Sequence, residues 1–321
     1  MIQPDLVRKA QQTCQELVDA LGLAIRGKAL FLKKLLTAWI AGGHVLIEDV
    51  PGVGKTTAVK ALASVLKAPA KTTLFRRIQF TPDLLPYDIT GVDIFSPETQ
   101  GFEFLEGPIF SILVLADELN RATPKVQSAL LEAMEERTVT VGNKTRTLHE
   151  LFMVVATQNP NDMEGTYPLP QAQLDRFMLR LSIGYPEAQE EEQLMLDISA
   201  RKDALEHLTP LFTLKEVLNL RELSHQVFVD PKIGSLARQV LDQSRKHPQV
   251  SLGLSPRAGI HWIRAARVWA LLNGRDYVID QDLFDLGVDV LAHRLGLIKH
   301  QVKPQELVSQ WIRDVIAAAQ S

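Results

Sequence analysis

Between Val45 and Lys67 the chain passes from a short apolar strand through a glycine-rich turn into a helix-prone run. Val45-Leu46-Ile47 forms the strand, Pro51-Gly52-Val53-Gly54-Lys55-Thr56-Thr57 the turn, and Ala58 to Lys67 the run. Such a unit lets successive backbone N–H groups converge on a phosphate, with the positive end of a helix dipole behind them. Gly52 and Gly54 remove Cβ atoms that would block close approach. Lys55 can reach outer phosphates, and Thr56 offers a hydroxyl ligand to Mg²⁺. The full pattern is G-x-x-x-x-G-K-[ST], and Asp49 stands where its first glycine belongs. Asp tolerates left-handed backbone better than most residues, so the turn is expected to survive the change.

The rest of the first half fits a sheet around that unit. Phe110 to Ala116 and Phe152 to Ala156 are near-continuous apolar runs, as parallel strands buried on both faces require. Leu179 to Ile183 is a shorter strand candidate. Helical spacing of Val7, Ala10, Cys14, Leu17, Val18 and Leu21 marks an N-terminal helix. A second helix runs from Lys28 to Ala41 and stops at Gly42-Gly43. With a further helix from Lys125 to Glu136, the order predicts an α/β fold, a three-layer αβα domain with a parallel sheet over residues 1–184. Two alternating segments read as inserted hairpins, Gly91–Phe95 with Gly101–Phe104, and Thr138–Val141 with Thr145–Leu148. From residue 185 to 321 strand signals fade and 3.6-residue periods dominate, which predicts a smaller all-α domain.

Bulk properties narrow the function classes. A net charge of −3 gives no electrostatic footprint for bulk nucleic acid or anionic membrane. The single cysteine, Cys14, excludes a disulfide within one chain. No uncharged stretch approaches 18 residues and the first residues carry no secretory pattern, so no membrane insertion and a cytoplasmic location are expected.

A phosphate loop needs a group on the Mg²⁺ side and one that prepares water for attack. Leu113-Val114-Leu115-Ala116 should place Asp117 and Glu118 at the C-terminal end of a buried strand, where α/β sheets bind ligands. Asp117 would act on Mg²⁺ and Glu118 would polarise the water; the plain alternative is an acidic pair capping the next helix. Asn159 ends the next apolar strand and could orient the same water, or could simply be a turn residue before Pro160. In Leu254-Ser255-Pro256-Arg257 the Ser and Pro read as a helix start. A cation in that first turn is opposed by the dipole, so Arg257 either meets an anion or is solvated. Arg176 precedes the last strand and could pair locally with Asp175.

Taken in order, these stretches resemble the AAA+ ATPases and specifically the MoxR family, over nearly the whole chain. Further matching stretches are Gly43 to Glu48, Arg77 to Pro86, Glu106 to Phe110, Asp117 to Ala122, Leu174 to Phe177 and Leu254 to Ala258. The resemblance implies ATP and Mg²⁺ as cofactors, with residues 51–57 and Asp117 binding nucleotide and Thr56 and Asp117 on the metal. It makes Lys55, Thr56 and Thr57 Walker A, Asp117 and Glu118 Walker B, Asn159 sensor 1, Arg176 an arginine finger and Arg257 sensor 2. Residues 83–105 become the helix-2 insertion and 138–148 the hairpin before sensor 1. It further implies a homo-oligomeric ring, usually hexameric, because a finger acts on a neighbour's nucleotide. ATP is expected between the α/β domain and the lid, with Arg257 completing the site from within the subunit. The implied activity is ATP hydrolysis that remodels or matures client proteins, often partners with a von Willebrand factor A domain. A nucleic-acid motor or restriction subunit of the same clade is the alternative; a small-molecule kinase would leave Asp117, Glu118, Asn159 and Arg257 unexplained, and a non-hydrolysing scaffold would require a damaged catalytic set.

Overall fold

Three central strands, apolar on both faces, form the middle of one five-stranded parallel sheet. The structure is a computed structural model that describes residues 2–159, 165–196, 205, 208–298 and 302–320. Strands β1 (Val45–Glu48), β2 (Phe75–Gln79), β3 (Leu113–Asp117), β4 (Met153–Gln158) and β5 (Leu179–Leu181) lie in the order β5-β1-β4-β3-β2. Val45 stands opposite both Leu179 and Val155, and Gln79 opposite Asp117. The strand period of two divides these residues between two cores. Val45, Ile47, Leu113, Leu115, Met153 and Val155 face one core, while Leu46, Val114, Ala116, Val154 and Ala156 face the other.

Helices α1 (Pro4–Ala24), α2 (Ala29–Ile40) and α3 (Lys55–Ser64) cover the first face, and α4 (Pro124–Glu136) covers the second. All six periodic residues of the N-terminal helix are buried. Helix α3 is shorter than its propensity suggests. It ends at Ser64, and Leu66–Lys67 pairs instead as a short parallel strand with Phe212–Thr213, a partner far away in sequence.

Both hairpins form. Gly91–Ser96 pairs antiparallel with Gly101–Glu106, and Thr138–Val141 with Lys144–Thr147. Arg146 joins them, 3.0 Å from Asp93 and 3.6 Å above the Phe104 ring. Beyond that tie Phe95 and Phe102 meet edge to face at 5.7 Å, with Phe102 73% exposed.

Beyond β5 the chain is mainly helical, through α5 (Leu214–His225), α6 (Pro231–Lys246), α7 (Pro256–Leu272), α8 (Asp280–Leu291) and α9 (Pro304–Gln320). Its core is continuous with that under α1 and α2, through Trp262, Leu286 and their neighbours. Arg221 fixes the junction by donating to the carbonyls of Trp39 (2.9 Å) and Ile40 (3.0 Å), and Arg264 donates to that of Ala41. These carbonyls precede β1, so the lid seats against the N-terminal edge of the sheet. Among the described residues no helix is long and apolar enough to cross a membrane.

Candidate active site

The C-terminal ends of β1, β3 and β4 open into one cleft of about 380 Å³. Pro51, Gly52, Gly54, Lys55, Thr56 and Thr57 line one wall, and Asp117, Glu118 and Asn159 line the other. Gly52 (φ 89°) and Gly54 (φ 99°) hold the left-handed backbone that side chains resist. Gly54 is also the N-cap of α3, so the first free N–H groups of that helix face the cleft. A Cβ at Gly52 would meet nothing within 4 Å, which leaves the space above the turn open. Val53 is the one loop residue whose side chain turns away, into the core; only its main chain remains for a phosphate.

Lys55 lies across the loop, its Nζ donating to the Asp49 carbonyl at 2.8 Å. Burial lowers its pKa, and the charges of Asp49, Asp117 and Glu118 work against that shift. The loop, the helix N-terminus, a lysine, two threonine hydroxyls and a carboxylate pair form a donor set that suits a Mg²⁺-bound triphosphate.

The opposite wall is a hydrogen-bonded chain. Thr157 donates to Asp117 Oδ1 at 2.6 Å and accepts from the Glu118 N–H at 2.9 Å. Arg77 reaches Asp117 Oδ2 at 2.6 Å, and Gln79 reaches Glu118 Oε2 at 2.8 Å. Arg121 also lies 3.1 Å from that oxygen. Glu118 itself has φ 57°, a left-handed conformation that costs a non-glycine residue about 1–2 kcal/mol. These contacts hold it there and aim its carboxylate along the cleft.

Asp49 acts otherwise than expected. It is not among the residues of positive φ, so the turn makes no use of its tolerance for left-handed backbone. Its Oδ2 accepts from Ser182 Oγ (2.9 Å) and from the N–H groups of Ile183 (2.5 Å) and Gly184 (2.9 Å). A glycine here could not tie the phosphate loop to the segment after β5. Asp49→Ala should leave the donors of Ile183 and Gly184 unsatisfied, at a cost of about 2 kcal/mol, read as a lower thermal midpoint. Asp49→Asn keeps an acceptor oxygen and should lose less; equal midpoints for all three proteins would show that the tie contributes nothing.

The two arginines lie elsewhere. Arg176 and Arg257 line a second cleft with Gly42, Gly43, His44 and Glu135. Gly42 to His44 precede β1, whereas the phosphate loop follows it, so the two clefts lie at opposite edges of the sheet. Arg257 therefore does not line the first cleft, and among the described residues none from the lid does. The physical reason is the seating of α7. Its N-cap Ser255 accepts from the Ala258 N–H as the sequence predicts, but Ser255 also donates to Asp175 at 3.0 Å, which draws the helix start to the edge before β5. Arg176 pairs with Glu135 at 2.9 Å rather than with Asp175. Arg257 donates to the other oxygen of Glu135.

Sequence reasoning missed Arg77, Gln79, Thr157 and Glu135. Arg77 and Gln79 are two apart on β2 and so share a face, and that polar spacing was the available signal. Thr157 is the lone hydroxyl in an apolar strand, two residues before Asn159. Nothing local distinguishes Glu135 from its acidic neighbours Glu132 and Glu136. The turn read at Asn159-Pro160 lies partly outside the described residues.

Comparison with known proteins gives a consistent set of likenesses. Residues 44–179 match the family profile described as ATPase family associated with various cellular activities (AAA), and residues 242–314 match that of the AAA lid domain. The protein YeaC of Bacillus subtilis is 48% identical over 82% of this chain and 80% of its own length. Chaperone MoxR1 of Mycobacterium tuberculosis is 38% identical over 91% of this chain and 78% of its own. A crystal structure of a protein from Cytophaga hutchinsonii superposes with a TM-score of 0.85 at 33% identity, covering 96% of this chain and 95% of that one.

Proposed function

The chain belongs to the MoxR family of AAA+ ATPases, and from that premise we propose that it hydrolyses ATP at sites shared between neighbouring copies in a ring, using the cycle to remodel a client protein. The observation that carries this reading is the division of the catalytic set between two edges of one sheet. Lys55, Thr56, Asp117, Glu118 and Asn159 converge in one cleft, while Arg176 and Arg257 sit together at the far edge. A subunit so divided presents a phosphate cradle on one side and paired guanidinium groups on the other. Head-to-tail contacts that join unlike surfaces close into rings when the rotation permits. Both arginines then reach the neighbour's cleft, Arg257 as well as Arg176.

Bound ATP·Mg²⁺ supplies the phosphoryl group that is transferred to water. Within the cleft the backbone of residues 51–55 and the Lys55 ammonium would bind phosphate oxygens, and Thr56 and Asp117 would hold the metal. Thr157 donates to Asp117 Oδ1 and Arg77 to Oδ2, so the carboxylate would be oriented before the metal binds. Glu118 accepts the proton of the attacking water once Gln79 and Arg121 release its Oε2, and Asn159 orients that water. Glu135 holds both arginines until a neighbour's phosphates compete for them. A hexamer is the family's usual size. The hairpin of residues 91–106, with Phe95 and Phe102 exposed at its end, is the proposed client contact, and a partner with a von Willebrand factor A domain fits the family's habit.

No observation favours the nucleic-acid motor. The exposed hairpin carries Asp93, Glu98, Glu103 and Glu106 and no lysine or arginine. The test of the shared-site reading is turnover against protein concentration, with assembly followed by light scattering on the same samples. Specific activity should rise with the fraction assembled, since a finger contributes on the order of 10³-fold or more to phosphoryl transfer. Full activity in monomers would overturn it.

A further inference from the structure

We infer that Arg294 is a positioning residue for Arg176, through which the lid sets the guanidinium that this chain presents to its neighbour; the inference rests on the shared-site reading above. Arg294 closes the short 3-10 turn Ala292–Arg294 after α8 and is only 2% exposed. A buried guanidinium is costly unless it is paired, and the Nη1 of this one is paired by charge alone, without a hydrogen bond. Its Nη2 donates to the Phe177 carbonyl at 2.6 Å and to His261 Nδ1 at 2.6 Å, and its Nη1 lies 3.3 Å from Asp175 Oδ1. Asp175 and Phe177 flank Arg176. One lid side chain thus grips the residue before the finger by its carboxylate and the residue after it by its backbone.

Other lid groups converge on the same two residues. His293 Nε2 lies 3.0 Å from the Phe177 carbonyl and 3.3 Å from Arg294 Nε, and Ser255 Oγ donates to Asp175. Gln171, at the start of the segment carrying the finger, donates to the His293 carbonyl at 2.6 Å. His261 accepts from Arg294 as a neutral ring, since burial and then the Arg294 charge push its pKa down to about 2. Asp175 in turn raises the pKa of Arg294 against the larger effect of burial, which brings it to about 10, so the guanidinium stays charged at neutral pH. Arg176 itself is held by Glu135, a surface partner at 2.9 Å that phosphate can replace. The backbone either side of it is held by the lid. A lid rotation that carries Arg294 moves the Asp175–Phe177 segment with it.

The test uses full-length Arg294→Met and Arg294→Lys with ATP and a fluorescent ATP analogue. For Arg294→Met, turnover should fall about 10²-fold, as misplacement of a catalytic group by an ångström can cause, while analogue affinity stays within about two-fold. Arg294→Lys, which keeps the charge but cannot hold Phe177, His261 and Asp175 together, should fall between it and wild type. Mixing separates positioning from general damage. Arg294→Met subunits have a sound phosphate loop, so Lys55→Ala partners, whose fingers are intact, should restore turnover. Arg176→Ala partners should not, because neither subunit then offers a working finger. Recovery with both partners, recovery with neither, or turnover within about two-fold of wild type overturns the inference. If Arg294→Met does not fold, Arg294→Lys is carried through the same mixtures. The control mixture of Arg176→Ala with Lys55→Ala separates the two levels: its failure sinks the shared-site reading, whereas its recovery with an unaffected Arg294→Met sinks this inference alone.

Discussion

Glu118→Gln is expected to bind ATP as wild type does and to lose turnover by about 10²–10⁴-fold, the usual contribution of a positioned general base. The substitution removes a proton acceptor and almost no volume. The groups that hold nucleotide, Lys55, Thr56 and Asp117, are left in place, and the Glu118 N–H keeps its bond to Thr157 Oγ1. The Gln79 amide can still donate to an amide oxygen, so the side chain should remain near its present line along the cleft. Arg121 loses an ion pair, but both partners are well exposed, and such pairs contribute about 0–1 kcal/mol. Fold and binding should therefore survive. The measurements are steady-state phosphate release and direct binding of a fluorescent ATP analogue. Turnover near the wild-type level with binding intact would remove Glu118 from the mechanism and leave Asp117 as the remaining carboxylate on that wall. Binding lost together with turnover would instead assign Glu118 to holding the nucleotide.

How much of this site could be read in the sequence follows from how local each feature is. The phosphate loop and the two buried strands were legible because glycine placement and apolar runs are properties of neighbouring residues. The same holds for both hairpins and for the Ser255 cap of α7. Contacts between distant segments were not legible. Asp49 reads as a blemish in a motif, because its partners Ser182, Ile183 and Gly184 lie beyond β5. Helix α3 stops early because Leu66 pairs with Phe212, which no local propensity encodes. The location of Arg257 was lost for the same reason. Its helix start is written in Ser255 and Pro256, but the edge of the sheet at which α7 begins is decided by Asp175, Ala41 and the core shared with α1 and α2.

That placement of Arg257 yields the second large effect. Arg176→Ala should lose about 10³–10⁵-fold in turnover as a pure protein, and Lys55→Ala should lose nucleotide binding with it. In an equal random mixture, a competent site needs an Arg176→Ala subunit beside a Lys55→Ala donor. Around a ring of head-to-tail interfaces that occurs at about a quarter of positions, so recovery to roughly that fraction of wild-type turnover is expected. Arg257 is then assigned by a different pair. If it serves its own subunit's cleft, mixing Arg257→Ala with Arg176→Ala restores turnover, because an Arg257→Ala donor still offers its finger to a sound site. If Arg257 works beside Arg176 on the neighbour's nucleotide, both substitutions damage the same donated face and the mixture stays inactive. The geometry favours the second outcome: both side chains share Glu135, Arg257 lies 3.8 Å from Asp175, and neither lines the cleft of its own phosphate loop. Mixing Arg257→Ala with Lys55→Ala should still recover activity, since that donor brings both arginines. Turnover restored in the Arg257→Ala and Arg176→Ala mixture would return Arg257 to its own subunit, and would require α7 to swing from the far edge of the sheet during the cycle.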